Sequence, residues 1–181
     1  MIFNTWRKMI HIGGICLMNI KGMSYAQIQI TAALLKLIQQ KTLNEISITD
    51  ITKEAGVGRA SFYRNYQSKE DILNQYLKRL LSEWYEKIKG QPTDHGTWQL
   101  SLMEHYYENR DFYMALQKAG LSNLQLQNII EVCGPKPEDD NLNAYFHSLL
   151  AYSVYGWIIE WISRGMQETP EQLYEMLKKL Q

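Results

Sequence analysis

The sequence predicts an all-α protein of about nine helices, a small N-terminal three-helix domain followed by a larger helical domain. Three observations carry this. Apolar residues recur at spacings of three and four along most of the chain, and strand-like alternation is sustained nowhere. The stretch from Ser47 to Lys69, SITDITKEAGVGRASFYRNYQSK, carries the caps and the tight turn of a helix-turn-helix. Apolar residues make up 45% of the 181, which allows a real core and excludes a disordered chain.

Residues 1–22 read as an N-terminal arm, or as an extension from an upstream start with Met18 or Met23 the natural first residue. The apolar run after Arg7-Lys8 lacks a small-residue cleavage site and is short of the roughly 20 residues that span a bilayer. The helix-turn-helix domain is expected over 23–67. Its first helix places Ile30, Ala33, Leu34, Leu37 and Ile38 on one face and stops near Lys41-Thr42; Leu43 and Ile46 then seal the small core. Ser47 is an N-cap with Asp50 as reciprocal partner, and Ile51 and Ala55 share the inner face of the second helix. Gly56 suits the left-handed position that ends it, and Val57 plugs the gap to the third helix. That third helix, Arg59 to Tyr66, turns Phe62 and Tyr66 inward and leaves Ala60, Ser61, Tyr63 and Arg64 outside.

The second domain is expected over 68–181, beginning with a linking helix over 68–89. Ser68 caps that helix with Asp71, and Gly90 and Pro92 stop it. Four more helices are expected over Trp98–Glu108, Asp111–Lys118, Leu121–Val132 and Leu142–Arg164, and Thr169-Pro170-Glu171 opens a last one over Pro170–Leu180.

A helix-turn-helix lays its second helix across the major groove of DNA. Arg59, Ala60, Ser61, Tyr63, Arg64 and Asn65 are therefore candidate DNA-binding residues, with Ser47, Thr49 and Lys69 as phosphate contacts. Zero formal net charge would argue against nucleic acid, but the halves differ. Residues 21–90 hold 11 Lys/Arg against 7 Asp/Glu, and residues 91–181 hold 6 against 12. A basic module joined to an acidic one suits local phosphate neutralisation.

The run Ile48-Thr49, Ile51, Ala55-Gly56-Val57, Phe62-Tyr63, Tyr66 and Ser68-Lys69-Glu70, backed by Ile72 and Leu73, resembles the DNA-binding domain of the TetR/AcrR family of bacterial repressors. The likeness covers residues 25 to 75. Gly58 stands where that family commonly has Ser or Thr, and Asn65 where it often has His. In the second half, Tyr107 to Tyr113, Gly156 to Trp161, Gly165-Met166 and Thr169-Pro170-Glu171 resemble a subfamily that includes regulators of dihydroxyacetone kinase operons. The resemblance implies a cytoplasmic transcriptional regulator, a repressor that leaves a palindromic operator when a small effector binds. It also implies a homodimer whose four-helix interface is built by Leu142–Arg164 and Pro170–Leu180. Trp157 and Ile158 are taken as interface positions, since the long helix is apolar nearly all round.

Tyrosines are abundant in the second half, and Tyr106, Phe112, Tyr113 and Tyr152 are candidate effector-binding residues. The same residues at helical spacing also suit plain core or dimer surface, and both readings stand at this point. His95, His105, His147 and Cys133 have no metal-site spacing, so no metal or cofactor is expected. The two cysteines form no disulfide framework, which fits a reducing cytoplasm. Nucleophile elbow, phosphate loop and dinucleotide glycine patterns are all missing, which argues against an enzyme. The rival function is an activator whose acidic second domain binds a protein coactivator and needs no small ligand.

Overall fold

The computed structural model describes residues 10–12, 15–17, 22–89 and 95–179. Among them are nine α-helices and two short strands, β1 (Ile10–Ile12) and β2 (Ile15–Leu17), paired antiparallel with Ile10 opposite Leu17. Three-residue strands are too short for a period of two to register in a sequence pattern. The chain divides into two compact units, Met1–Leu80 and Leu81–Gln181, with the boundary inside α4. No helix among the described residues is long and apolar enough to cross a membrane.

The first unit holds α1 (Tyr25–Gln40), α2 (Ile48–Glu54), α3 (Arg59–Asn65) and most of α4 (Lys69–Ile88). Ser24 caps α1 through a reciprocal pair with Gln27, and Ser47 caps α2 through one with Asp50. Gly56, at φ +63°, makes the turn that a side chain would strain. α1 packs on α2 and α3. Ile30, Leu34, Ile38, Ile51 and Phe62 form a sealed core with Ile72, Leu73 and Leu77 of α4. One polar link is buried here, between the Thr31 and Tyr66 hydroxyls at 3.3 Å.

The second unit holds the end of α4, then α5 (His95–Glu108), α6 (Arg110–Lys118), α7 (Ser122–Cys133), α8 (Asn141–Ser163) and α9 (Pro170–Lys178). α7 and α6 pack on α8, and α9 packs on α5. Thr169 caps α9 through Gln172, with Pro170 in its first turn. The expected stops at Gly90 and Pro92, and the expected end at Leu180, lie outside the described residues.

The long α8 is two-faced, contrary to the sequence expectation that it is buried all round. Ala151, Val154, Ile158, Trp161 and Ile162 face the unit's own core, while Leu142, Tyr145, Phe146, Leu149 and Tyr152 stand exposed. The exposed five follow spacings of three and four and so form one stripe. Ile158 is therefore corrected from interface to core: it is 0% exposed within its own unit. Trp157 beside it is half-buried.

Candidate nucleic-acid interface

α3 is seven residues, roughly 10 Å long, which fits a major groove about 12 Å wide. Two side chains anchor it. Phe62 is fully buried, with its ring edge-on to Tyr63 at 5.4 Å, and Tyr66 is buried one turn on. With that face fixed inward, Arg59, Ala60, Tyr63 and Arg64 stand exposed in two columns four residues apart. Arg59 is oriented before any ligand arrives: its guanidinium donates to the Tyr63 hydroxyl at 3.2 Å and lies 5.9 Å from that ring's centroid. Ser61 is half-buried, and its carbonyl accepts a hydrogen bond from the Asn65 amide at 2.7 Å. That bond turns the Asn65 donor back onto its own helix, so Asn65 is less available for base contact than its position implied.

The expected phosphate contacts fare differently from one another. Thr49 is exposed on the first turn of α2. Ser47 is exposed, but its hydroxyl donates to Asp50 at 2.7 Å and accepts from the Asp50 amide at 3.1 Å. Lys69 is half-buried and bonds to the carbonyls of Leu43 and Ile46, at 2.5 and 3.0 Å. Its ammonium meets the protein's own backbone where a phosphate contact was expected, because the turn before α2 brings two outward carbonyls to the start of α4.

The Ser47–Asp50 pair also carries a pH dependence. Hydrogen bonds from the Ser47 amide and hydroxyl hold the Asp50 carboxyl below the ordinary aspartate range. A carboxyl depressed in the folded state stabilises that state above the unfolded value, and the effect fades as pH falls through the folded one. We expect Ser47→Ala to cost about 1 kcal/mol near neutrality through loss of the cap. The gap from the unsubstituted protein should narrow in acid, as Asp50 protonates. Urea unfolding of both proteins at several pH values checks this; a gap that widens in acid would contradict it.

The four expected effector residues do not come together as one site: three are buried in the core of the second unit and Tyr152 is exposed. Tyr106 and Tyr113 are fully buried and stacked with centroids 4.1 Å apart, and Phe112 packs edge-on against Tyr113. The Tyr113 hydroxyl is hydrogen-bonded to the His105 ring at 2.7 Å. Burial, reinforced by the nearby Cys133, pushes the Tyr106 phenol far above its ordinary range, with the Tyr113 hydroxyl a smaller opposing effect. These three are core. Tyr152 belongs to the exposed stripe of α8. An open groove of about 330 Å³ lies elsewhere in the second unit, among Tyr85, Trp98, Cys133, Lys136, His147 and Leu150. Beside it, His147 Nδ1 and Asp139 share a 2.7 Å hydrogen bond. Burial pushes the Cys133 thiol up to about 11, so it stays protonated at neutral pH. No local pattern marks this groove, which is assembled from residues of four helices and a loop.

Comparison with known proteins agrees with this architecture. Residues 30–76 match the family described as "Bacterial regulatory proteins, tetR family", and residues 96–181 match "Transcriptional regulator C-terminal region". The chain belongs to the TetR family of transcriptional regulators. It is 30% identical over 129 residues to the HTH-type transcriptional regulator YuxN of Bacillus subtilis, covering 67% of this chain and 43% of that one. It is 28% identical over 102 residues to the HTH-type dhaKLM operon transcriptional activator DhaS of Lactococcus lactis, covering 55% of this chain and 52% of that one. The chain thus spans about half the length of these curated relatives. The structure of Lin0861 from Listeria innocua shares the fold, with a TM-score of 0.70 at 16% identity over 86% of this chain and 88% of that one.

Proposed function

We propose that this chain is a DNA-binding transcriptional regulator of the cytoplasm that works as a homodimer, a repressor released from a palindromic operator by an effector bound in its second unit. The observation that carries the DNA-binding reading is α3. Its buried Phe62 and Tyr66 fix a short helix whose exposed face offers two cations and a tyrosine, with Arg59 already held by Tyr63. Two such helices on a symmetric dimer would meet half-sites about one DNA turn apart, roughly 34 Å. The exposed stripe of α8 supports a second copy as its partner, since a helix face of five large apolar side chains is costly to leave in water.

The test is electrostatic. Arg64→Ala should weaken binding to every sequence and lower the slope of log affinity against log salt by about one, as one phosphate contact is lost. An unchanged slope, measured by fluorescence anisotropy on a labelled duplex, would remove Arg64 from the interface.

A second reading is favoured by two observations. Tyr106 and Tyr113, two of the three tyrosines expected to hold an effector, are packed against one another, and the groove in the second unit is open. Both suit an activator whose second unit engages a protein coactivator, and DhaS of Lactococcus lactis is a named activator. A promoter-reporter assay with and without the gene separates the two: repression falls on deletion under one reading, expression under the other.

A further inference from the structure

We propose that Lys69 is a positioning residue: its ammonium ties the first turn of α4 to the segment that enters α2, and so sets the placement of the helix-turn-helix. The proposal rests on the DNA-binding reading above. It assigns Lys69 a role distinct from neutralising a phosphate.

The geometry is local to the first unit. Lys69 Nζ donates to Leu43 O at 2.5 Å and to Ile46 O at 3.0 Å, which engages two of its three N–H groups. Those carbonyls sit on a rigid base. The Leu43 and Ile46 side chains are 6% and 1% exposed, and the Ile46 amide itself bonds to Leu43 O at 3.2 Å. Ile46 is the residue before Ser47, the N-cap of α2. One ammonium therefore joins the start of α4 to the start of α2 across 23 to 26 residues of chain. The start of α4 is held on its other side too: the Asp71 amide donates to the Ser68 hydroxyl, and Asp71 accepts from the Gln67 amide at 2.9 Å.

Bonds from an ammonium to carbonyls are stronger than neutral ones, and the half-buried setting shields them from water. A displacement of α4 at Lys69 pulls directly on the entry to α2, which carries Thr49 and packs on α3. The contact is a mechanical tie between the helix that continues into the second unit and the helices expected on DNA.

The test compares Lys69→Met, Lys69→Gln and Arg64→Ala in the full-length chain. The readouts are thermal melting, amide hydrogen exchange at Ile46 to Thr49, and the salt dependence of binding to a mixed-sequence DNA duplex. The tie predicts that Lys69→Met lowers the melting temperature by several degrees and speeds exchange at those amides about tenfold or more. The salt slope should stay at the unsubstituted value, while Arg64→Ala lowers it by about one. Lys69→Gln, uncharged but able to donate to the carbonyls, should recover part of the lost melting temperature. A salt slope lower by about one in either Lys69 variant overturns the proposal, as does an unchanged melting temperature in Lys69→Met. If Lys69→Met does not fold, the slope of Lys69→Gln decides alone. Failure of the unsubstituted protein to bind DNA at any salt would refute the DNA-binding reading instead, and melting and exchange would still test the tie.

Discussion

Replacing Leu149 with Glu is expected to leave each protomer folded, to convert the proposed dimer into a monomer, and to weaken operator binding by about a hundredfold or more. Leu149 lies at the middle of the exposed stripe of α8 and is 68% exposed, so a carboxylate there meets no core of its own unit. In a dimer the same position would bury that charge against an apolar partner surface, where an unpaired ion is heavily penalised. Loss of the dimer removes one of two half-site contacts, and with it the gain from binding both at once. Ile158→Glu, nine residues and so about two and a half turns further along α8, on its opposite face, should behave otherwise. Ile158 is 0% exposed, so its charge would enter the protomer's own core and lower its melting temperature sharply. Light scattering and circular dichroism on both variants separate the outcomes. A Leu149→Glu protein that remains dimeric at micromolar concentration, or an unsubstituted protein that is monomeric there, would remove α8 from the interface.

What the sequence makes legible here is local chemistry. Ser47 with Asp50, Gly56 before the turn, and Thr169 with Pro170 each act on residues within a few positions, and each sits in the structure as expected. Periodicity likewise separates Phe62 and Tyr66 from Tyr63 and Arg64, because a short helix with one apolar face has only one way to pack. Where the information is nonlocal the reading fails. The partner of Lys69 lies 23 to 26 residues upstream, and nothing at Lys69 announces two waiting carbonyls. Tyr106 and Tyr113 have the polar tips of pocket residues, but whether their rings meet a cavity or each other depends on how α5 and α6 pack. α8 is apolar on so many positions that its pattern names no inner face; Ile158 and Leu149 look alike until tertiary packing buries one and leaves the other exposed.

Phe62→Ala is expected to unfold the first unit selectively and to abolish DNA binding. Phe62 is 0% exposed, and its ring contacts Tyr63 edge-on and Tyr66 at 6.1 Å. Deleting a buried Phe side chain costs about 3–5 kcal/mol, through lost burial and the cavity left behind. A small domain is stable by only about 5–15 kcal/mol, so the loss removes a large part of its margin. The second unit has its own core around Tyr106, Tyr113, Ile158 and Trp161, which Phe62 does not enter. The chain supplies a means of watching the two apart. Trp84, Trp98, Trp157 and Trp161 all belong to the second unit, and the fifth tryptophan, Trp6, lies outside the described residues. In Phe62→Ala, far-ultraviolet dichroism should show helix lost at a temperature where tryptophan fluorescence is still that of the folded protein. Phe62→Leu, which keeps most of the volume, should shift the same transition by less. Helix and tryptophan signals that fall together at a lowered temperature would mean that the two units unfold as one cooperative body, and the selective role assigned to Phe62 would fail.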